Sequence, residues 1–242
     1  MPHRYYIDPS VSRWDYLAGD EAHHFHKVMR GKVGDALELF DGTGTFAHGI
    51  VEAIQKDGIQ IRIKEKFADD VESPLCLTIA AALPKGDRQR FLIEKLAELG
   101  TARFVPVLME RSVARANEST IQRLRRYVIE AAKQCGRNVL MEIANEVPLN
   151  KLNLDIDVTK YILHPVALGN VGQTTPRQVL AASAHFTGTP MLILAGPEGS
   201  FTDEEVAWAL QAGFMPLDLG KRILRTETAC IAAAALLLTV AG

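Results

Sequence analysis

Apolar and polar positions alternate with a period of two through most of the first seventy residues. The alternation is clear in Ala36–Phe40, returns over 45–55, and appears again over 59–64. Gly and Asp separate these runs, at 41–44 and at 57–58. Short alternating runs between such turns predict antiparallel strands, so we expect a small β-barrel or sandwich here. A helix is predicted across it at 20–29, with Asp20 as its N-cap.

After a polar segment that ends at Pro74, the pattern changes to continuous apolar strands between amphipathic helices. The predicted strands are 75–83, 104–108, 161–164, 191–195 and 215–219, with 139–143 as a short strand or loop. The predicted helices are 89–99, 120–135 and 176–184, then one that starts with a capping box at Thr202 and Glu205 and ends at Gly213, and the apolar segment 229–241. This alternation indicates a parallel sheet covered on both faces. The domains are therefore predicted as 1–72 and 74–242.

Ligands of parallel sheets bind at the carboxyl ends of the strands. The loops expected there are 84–88, 109–115, 164–173, 196–201 and 220–227. The last of these joins a buried strand to the apolar C-terminal helix, and Thr226 is the predicted N-cap of that helix. The segment can be read as a ligand-binding loop or simply as the start of a capped core helix, and the local pattern leaves both open.

Composition narrows the classes of protein. The chain has 242 residues, 48% of them hydrophobic, with a formal net charge of −2, which excludes a uniformly basic nucleic-acid binder. Three widely spaced cysteines without a CxxC pair favour reduced thiols over a disulfide framework or a zinc site. The N-terminus has no apolar signal segment and the longest apolar run is too short to span a bilayer. We expect a cytoplasmic protein without a metal or a membrane anchor.

Two segments of the chain are basic although its net charge is slightly negative. The segment 103–137 holds eight Lys and Arg residues against three acids, which predicts a contact surface for a polyanion. A second group of cationic or potentially cationic residues lies at 23–32, where a solvated helix face is the alternative to a phosphate contact. The run 42–47 matches a dinucleotide-binding glycine pattern, but a hairpin follows it rather than the helix that such a site requires.

Four motifs in the second predicted domain carry a resemblance to a known family. They are 219–229 (LGKRILRTETA), 196–199 (GPEG), 85–88 (KGDR) with 94–100 (EKLAELG), and 130–137 (EAAKQCGR). Together with 23–35, they resemble the 16S ribosomal RNA uridine-N3 methyltransferases, the RsmE family of the SPOUT superfamily. The resemblance spans nearly the whole chain in order. Gly31, Ser200 and Cys135 depart from residues common in that family, which are Leu, Gly and Ser.

The resemblance implies an α/β fold with a C-terminal SPOUT domain that has a parallel sheet and a deep trefoil knot, preceded by a small PUA-like β-barrel that binds RNA. It also implies a homodimer, S-adenosylmethionine as cofactor, and an assembled small ribosomal subunit as substrate. The expected product is N3-methyluridine at uridine-1498 of the 16S rRNA.

Site residues follow from the same motifs and from the basic segments. Catalytic candidates are Arg88 and Arg225, to orient the base or stabilise its anion, and Glu198 as proton acceptor; an ion pair is the alternative role for each. The cofactor-binding candidates are Leu163, His164, Gly196, Pro197, Glu198, Gly199, Leu219, Gly220, Ile223, Leu224 and Thr226. The RNA-binding candidates are Arg4, His24, Lys27, Arg30, Lys32, Arg111, Arg115, Arg123, Arg126 and Arg137.

Two other functions stay open. One is a SPOUT methyltransferase with another RNA target or with ribose 2′-O chemistry, and the other is a non-catalytic RNA-binding factor of ribosome assembly. A dinucleotide-dependent enzyme is disfavoured because its helix is missing.

Overall fold

The computed structural model of the chain describes residues 3–9, 13–68, 71–153, 158–164, 174–175, 178–179 and 190–241. Positions 69–70 of the polar segment, most of the loop 164–173 and most of the predicted helix 176–184 lie outside the described residues, and 178–179 of that helix are helical. The chain forms two compact units, one made of residues 1–72 with 129–140 and the other of 73–128 with 141–242.

The first unit is built on a five-stranded sheet. Its elements in chain order are β1 His3–Tyr6, β2 Tyr16–Ala18, α1 Gly19–His23 with a π turn His24–Val28, β3 Ala36–Phe40, β4 Thr45–Ile54 and β5 Gly58–Ala68. The strand order is β1-β3-β4-β5-β2. The pairs β3–β4, β4–β5 and β2–β5 are antiparallel, as the alternating pattern predicts, and β1 runs parallel to β3.

The three predicted strands of this unit are confirmed, while β1 and β2 escaped prediction because they are four and three residues long. The predicted helix 20–29 is present as α1 and the π turn. The prediction of Asp20 as N-cap is wrong, since the helix starts at Gly19 and Asp20 lies in its first turn. The run 42–47 forms the β3–β4 turn and the start of β4, which confirms a hairpin there.

One face of this sheet forms an apolar core. Tyr5, Phe25 and Leu39 are buried in it, and the rings of Tyr5 and Phe25 pack edge to face with centroids 5.8 Å apart. Irregularities in the β4–β5 pairing fall at His48/Gly49 and at Val51/Ala53. Such bulges bend a strand and increase its twist, which lets a short sheet curl around its core.

The second unit is an α/β sheet. Its elements are β6 Leu77–Ala81, α2 Asp87–Glu98, β7 Arg103–Leu108, α3 Glu118–Cys135 (up to residue 128 in this unit), β8 Glu142–Ile143, β9 Val147–Pro148, β10 Thr159–Leu163, β11 Met191–Ala195, α4 Asp203–Gln211, β12 Met215–Leu217 and α5 Thr226–Ala241. All its strand pairs are parallel, in the order β12-β10-β11-β6-β7-β8, and β9 also pairs with β7. The predicted parallel sheet is confirmed.

Both faces of this sheet are buried, which explains why its strands lack the alternation of the first unit. On one face, Ile162 and Leu194 pack with Val206 and Ala209 of α4. On the other, α5 contacts β6, β11 and α2. The capping box at Thr202 and Glu205 is confirmed: the threonine hydroxyl accepts from the Glu205 N–H, and the Glu205 carboxylate accepts from the Thr202 N–H.

Helix α5 begins at Thr226 itself, so the prediction of this residue as N-cap was one position off. Along the described segments of the chain, every helix is too short or too polar to cross a bilayer.

Candidate active site

Four strands of the second unit end at one level. The last residues of β6 and β10, Ala81 and Leu163, both pair with Ala195 at the end of β11, and Leu163 also pairs with Leu217 at the end of β12. The loops after these strands therefore start side by side at the carboxyl edge of the sheet. This is the edge where ligands of parallel sheets bind.

A pocket lies at the ends of β10 and β12. Its walls combine aliphatic side chains with backbone of a glycine-containing loop, and they comprise Leu163, His164, Leu217, Asp218, Leu219, Gly220, Arg222, Ile223, Leu224 and Ala229. Six of the eleven predicted cofactor-binding residues are thus brought together. Aliphatic walls with a few polar backbone groups suit a planar heterocycle such as adenine.

The turn after β12 is stabilised by a local hydrogen bond. The Gly220 N–H donates to Asp218 Oδ1 over 2.7 Å, and Gly220 has a φ of +103° that a side chain would strain. Arg222 lines the pocket and Arg225 is exposed beyond it. Neither arginine has a salt-bridge partner among the described residues, and of the two only Arg222 lines the pocket.

The other five predicted cofactor residues belong to the loop after β11 or bind it. The Thr226 hydroxyl donates to the Gly196 carbonyl oxygen over 2.8 Å, which ties the first residue of α5 to this loop. Arg111 donates to the Gly199 carbonyl oxygen over 2.9 Å. The segment 197–199 thus leads from the hydrogen bond at Gly196 to an exposed turn.

That turn explains why glycine is common in the family at one position where this chain departs from it. Ser200 has a φ of +62°, a left-handed conformation in which glycine carries no steric cost. At Gly31, another departure, a Cβ would come within 2.4 Å of several atoms of the Phe25 ring. A leucine there requires that ring to sit elsewhere, which accounts for the glycine in this chain. Nothing in the structure explains Cys135.

Arg88 lies between two carboxylates. Its Nη2 lies 2.9 Å from Glu198 Oε1, and its Nη1 lies 3.8 Å from Glu227 Oε2. The prediction that placed Arg88 in a loop is wrong, because α2 begins at Asp87 and Arg88 is its second residue. The first turn of α2 is fixed by the Gln89 side chain, which donates to the Pro84 carbonyl oxygen over 2.8 Å. A cation is thus held at the same edge as the pocket loops.

The basic residues of the second unit that were predicted to contact RNA are all exposed. Arg111 is tied to Gly199, Arg115 pairs with Glu146 at 2.7 Å, and Arg123 donates to Gln89 Oε1 over 2.9 Å. Arg126 is exposed on the same helix, α3. Surface ties of this kind are weak enough to exchange for a phosphate.

Three of the predicted RNA contacts of the first unit lie in partly or largely buried surroundings. Arg137 is only 4% exposed and pairs with Glu72, with a nitrogen–oxygen distance of 2.8 Å. The Arg4 side chain is largely buried and pairs with Glu38 at 2.6 Å. Burial, and then the charge of Lys133, lower the pKa of His24, so its ring is neutral at neutral pH. Arg137 and Arg4 thus have internal carboxylate partners, and RNA contact by these three residues stays a prediction.

The remaining predicted contacts of the first unit, Lys27, Arg30 and Lys32, are exposed around the end of the π turn. Arg30 has a φ of +53°, which is uncommon for a residue with a side chain and holds this turn in a defined shape. The valine next to Lys27, Val28, is 60% exposed. Exposed cations beside an exposed apolar side chain suit contact with nucleic acid.

Sequence reasoning missed Glu227 and Asp218 as site residues. An acid one step into an otherwise apolar helix was a usable signal for Glu227. No group of three or more His, Cys, Asp or Glu side chains in the described parts of the chain is arranged to hold a metal ion.

Comparison with known proteins gives matches to both units. A family model for an RNA methyltransferase domain matches residues 71–238, and one for an RNA methyltransferase PUA domain matches residues 17–64. Ribosomal RNA small subunit methyltransferase E of Buchnera aphidicola is 30% identical, over 99% of this chain and 94% of that protein.

Two solved structures extend the likeness to the fold. A methyltransferase from Legionella pneumophila, solved with the cofactor SAM, is 30% identical with a TM-score of 0.87, covering 99% of this chain and 98% of that one. A ribosomal RNA small subunit methyltransferase E from Neisseria gonorrhoeae, bound to S-adenosyl methionine, is also 30% identical, with a TM-score of 0.82 and the same coverage.

Proposed function

We propose that this protein transfers a methyl group from S-adenosylmethionine to N3 of uridine-1498 in the 16S rRNA of the small ribosomal subunit. The chain belongs to the RNA methyltransferase family and has a PUA domain before the methyltransferase domain. Relatives named as ribosomal RNA small subunit methyltransferases support the class of reaction and the RNA. Neighbouring structures solved with this cofactor support its use here. The choice of base, atom and position is our proposal.

The observation that carries the proposal is the in-register edge of four strands, which brings an aliphatic pocket and an Arg–carboxylate cluster to one side of the sheet. We assign the adenine to the pocket between Leu163 and the loop 217–224. The loop 196–199 and Thr226 complete the cofactor site in this proposal.

When bound, the cofactor supplies a methyl group on a sulfonium, and the electrons of the broken C–S bond leave with sulfur as N3 bonds to carbon. N3 of uridine carries a proton, so it is a poor nucleophile until the N3–H bond breaks and its electron pair stays on the imide. Arg88 is placed to stabilise that developing negative charge. Glu198 is the proton acceptor in this scheme, and its salt bridge with Arg88 is exposed enough to exchange.

The RNA is held by exposed cations of each unit: Arg111, Arg115, Arg123 and Arg126 in the second, and Lys27, Arg30 and Lys32 in the first. We further propose the domain division 1–72 and 74–242, a knot formed by the loops at the carboxyl edge, and a homodimer of cytoplasmic location, as in the family that the motifs resemble.

Transfer of labelled methyl groups to small subunits that lack the modification tests the function. We expect incorporation of close to one methyl group per assembled subunit and little into bare 16S rRNA. Absence of incorporation together with absence of S-adenosylmethionine binding in calorimetry would favour the non-catalytic assembly factor instead.

A further inference from the structure

Glu227 is a buried acid that none of the roles above uses. It lies in the first turn of α5 and is 4% exposed. Its Oε2 is sealed from solvent and accepts no hydrogen bond from any residue that the structure describes. A buried carboxylate oxygen without a hydrogen bond is costly, because the charge has lost its hydration and gained no donor. Such a cost calls for a compensating role.

The group that faces this oxygen is Arg88. Its Nη1 lies 3.8 Å from Glu227 Oε2, too long for a hydrogen bond but within ion-pair range. Its Nη2 contacts Glu198 at 2.9 Å. The guanidinium therefore has one carboxylate on a partly exposed side, 25% accessible, and one on a buried side, 5% accessible. The two carboxylates hold the same cation from different environments.

The backbone on both sides of this ion pair is fixed. The Gln89 side chain ties the first turn of α2 to Pro84, and Arg123 ties the same side chain from α3. The Thr226 hydroxyl ties the start of α5 to Gly196. Helices α2 and α5 also contact each other directly. The separation between Arg88 and Glu227 is thus set by packed helices rather than by mobile loops.

The surroundings of Glu227 on its own helix are dry. Cys230, one turn further on, is fully buried, and burial together with the nearby Glu227 raises the pKa of its thiol to about 12. In such surroundings an attraction between opposite charges is screened less than at the surface. The Glu227 end of the ion pair is therefore shielded from solvent, whereas the Arg88 side chain is 35% exposed.

We propose that Glu227 is the positioning residue that holds the Arg88 guanidinium toward the substrate base when Glu198 is engaged in proton transfer. Glu198 is exposed and can release Arg88, whereas Glu227 is buried and cannot turn to solvent. With one fixed carboxylate, Arg88 keeps its orientation while the other carboxylate changes partners. This inference rests on the function proposed above and adds a residue to its mechanism.

Glu227→Gln separates this role from a plain electrostatic one. Glutamine has nearly the same shape but no charge. Removing a negative charge by itself would favour the imide anion and lower the apparent pKa of N3 in the pH–rate profile. If Arg88 is no longer oriented toward the base, its charge stabilises the imide anion less, and the apparent pKa of N3 rises. The direction of the shift therefore distinguishes the two effects.

We expect Glu227→Gln to lower kcat about 10-fold or more, which is less than the roughly 10²–10³-fold loss when an anion-stabilising group is removed, because Arg88 itself stays in place. We also expect less than about a 2-fold change in the KM for S-adenosylmethionine, because the pocket and loops that bind the cofactor in this proposal are left intact. The pH–rate profile should shift upward. Glu204→Gln is the matched control, since Glu204 is an exposed acid in the first turn of another helix, α4. It should behave as the wild type.

Thermal unfolding and calorimetry with S-adenosylmethionine show whether each variant is folded. If Glu227→Gln does not fold, Glu227→Asp is measured instead, because it keeps the charge but withdraws the carboxylate from Arg88 by one methylene; it too should lose kcat. A folded variant with the kcat of the wild type, or a downward shift of the pH–rate profile, would overturn the role of Glu227. Failure of the wild type to methylate small subunits would instead overturn the function on which the role rests.

Discussion

Replacement of Gly196 by alanine tests how tightly the loop after β11 is packed. A Cβ at this position would lie 2.8 and 2.9 Å from two ring carbons of Phe201. Carbon atoms in favourable contact are about 3.5–4.0 Å apart, so the ring has to retreat by roughly 0.7 Å or more. Phe201 is 6% exposed and packs in the core with Val206 and Leu194, which leaves it little room.

The expected cost follows from that geometry. Overpacking of a core typically costs about 1–3 kcal/mol, and in a chain of this size each kcal/mol lowers Tm by roughly 2–4 °C. Because the Gly196 carbonyl oxygen also holds Thr226, S-adenosylmethionine should bind more weakly as well. Urea unfolding of the cofactor-free protein measures the first effect and calorimetry the second.

Gly199→Ala is the matched control. The nearest atoms to its Cβ would be Cβ and Cδ of Arg111, at 3.2 and 3.3 Å, so this exposed residue has to shift by only a few tenths of an ångström. We expect a loss within about 0.5 kcal/mol, as for most surface substitutions. Adding Phe201→Leu to Gly196→Ala should cost less than the sum of the two single changes. Equal stability of the two alanine variants, or simple additivity in the double variant, would refute the packing argument.

Three further outcomes are expected. Thr226→Val removes the hydroxyl that donates to Gly196 and should cost about 1–3 kcal/mol of unfolding free energy in urea, because the carbonyl loses its partner; an unchanged midpoint would contradict this. Burial raises the pKa of Cys230 from 9.0 to about 12. The contribution of its protonated thiol to the free energy of unfolding is therefore fully present below pH 9 and is lost as pH rises through 12. Urea unfolding at pH 8 and 10 should therefore show a smaller alkaline loss for Cys230→Ala than for the wild type, and equal losses would count against it. Ser200→Gly relieves a left-handed backbone and should stabilise by less than about 1 kcal/mol, since glycine also gains unfolded-state entropy; a lower Tm would be the opposite result.

The pattern of apolar residues predicted the strands of both sheets better than the ends of the helices. Met191–Ala195 is apolar throughout and is a strand with those bounds, because a strand buried on both faces leaves no alternative for such a run. The predicted N-cap of the C-terminal helix, Thr226, was one residue off, because its hydroxyl donates to the distant Gly196 carbonyl oxygen instead of capping its own helix. Strand β1 contains polar and aromatic residues in a row, so its pairing with β3 depends on the tertiary fold.

The loops of the candidate site could be predicted from the sequence, whereas its ion pairs could not, because these depend on the tertiary fold. Glycine loops at strand ends can be read from local sequence, and Gly196 and Gly220 lie in the loops where they were expected. Ion pairs between distant segments cannot be read in this way: the partner of Arg137 is Glu72, 65 positions earlier, and that pairing buries a cation which charge counting assigned to RNA. Glu227 was passed over because its importance lies in what it faces, which is a residue on another helix.

The nucleoside that carries the new methyl group tests the central claim most directly. Small subunits that lack the modification are incubated with the protein and labelled S-adenosylmethionine, and their 16S rRNA is digested to nucleosides and separated by mass spectrometry. We predict that the label is in N3-methyluridine and maps to uridine-1498. Label in a ribose-methylated nucleoside, or in a methylated base other than N3-methyluridine, would contradict the proposed function.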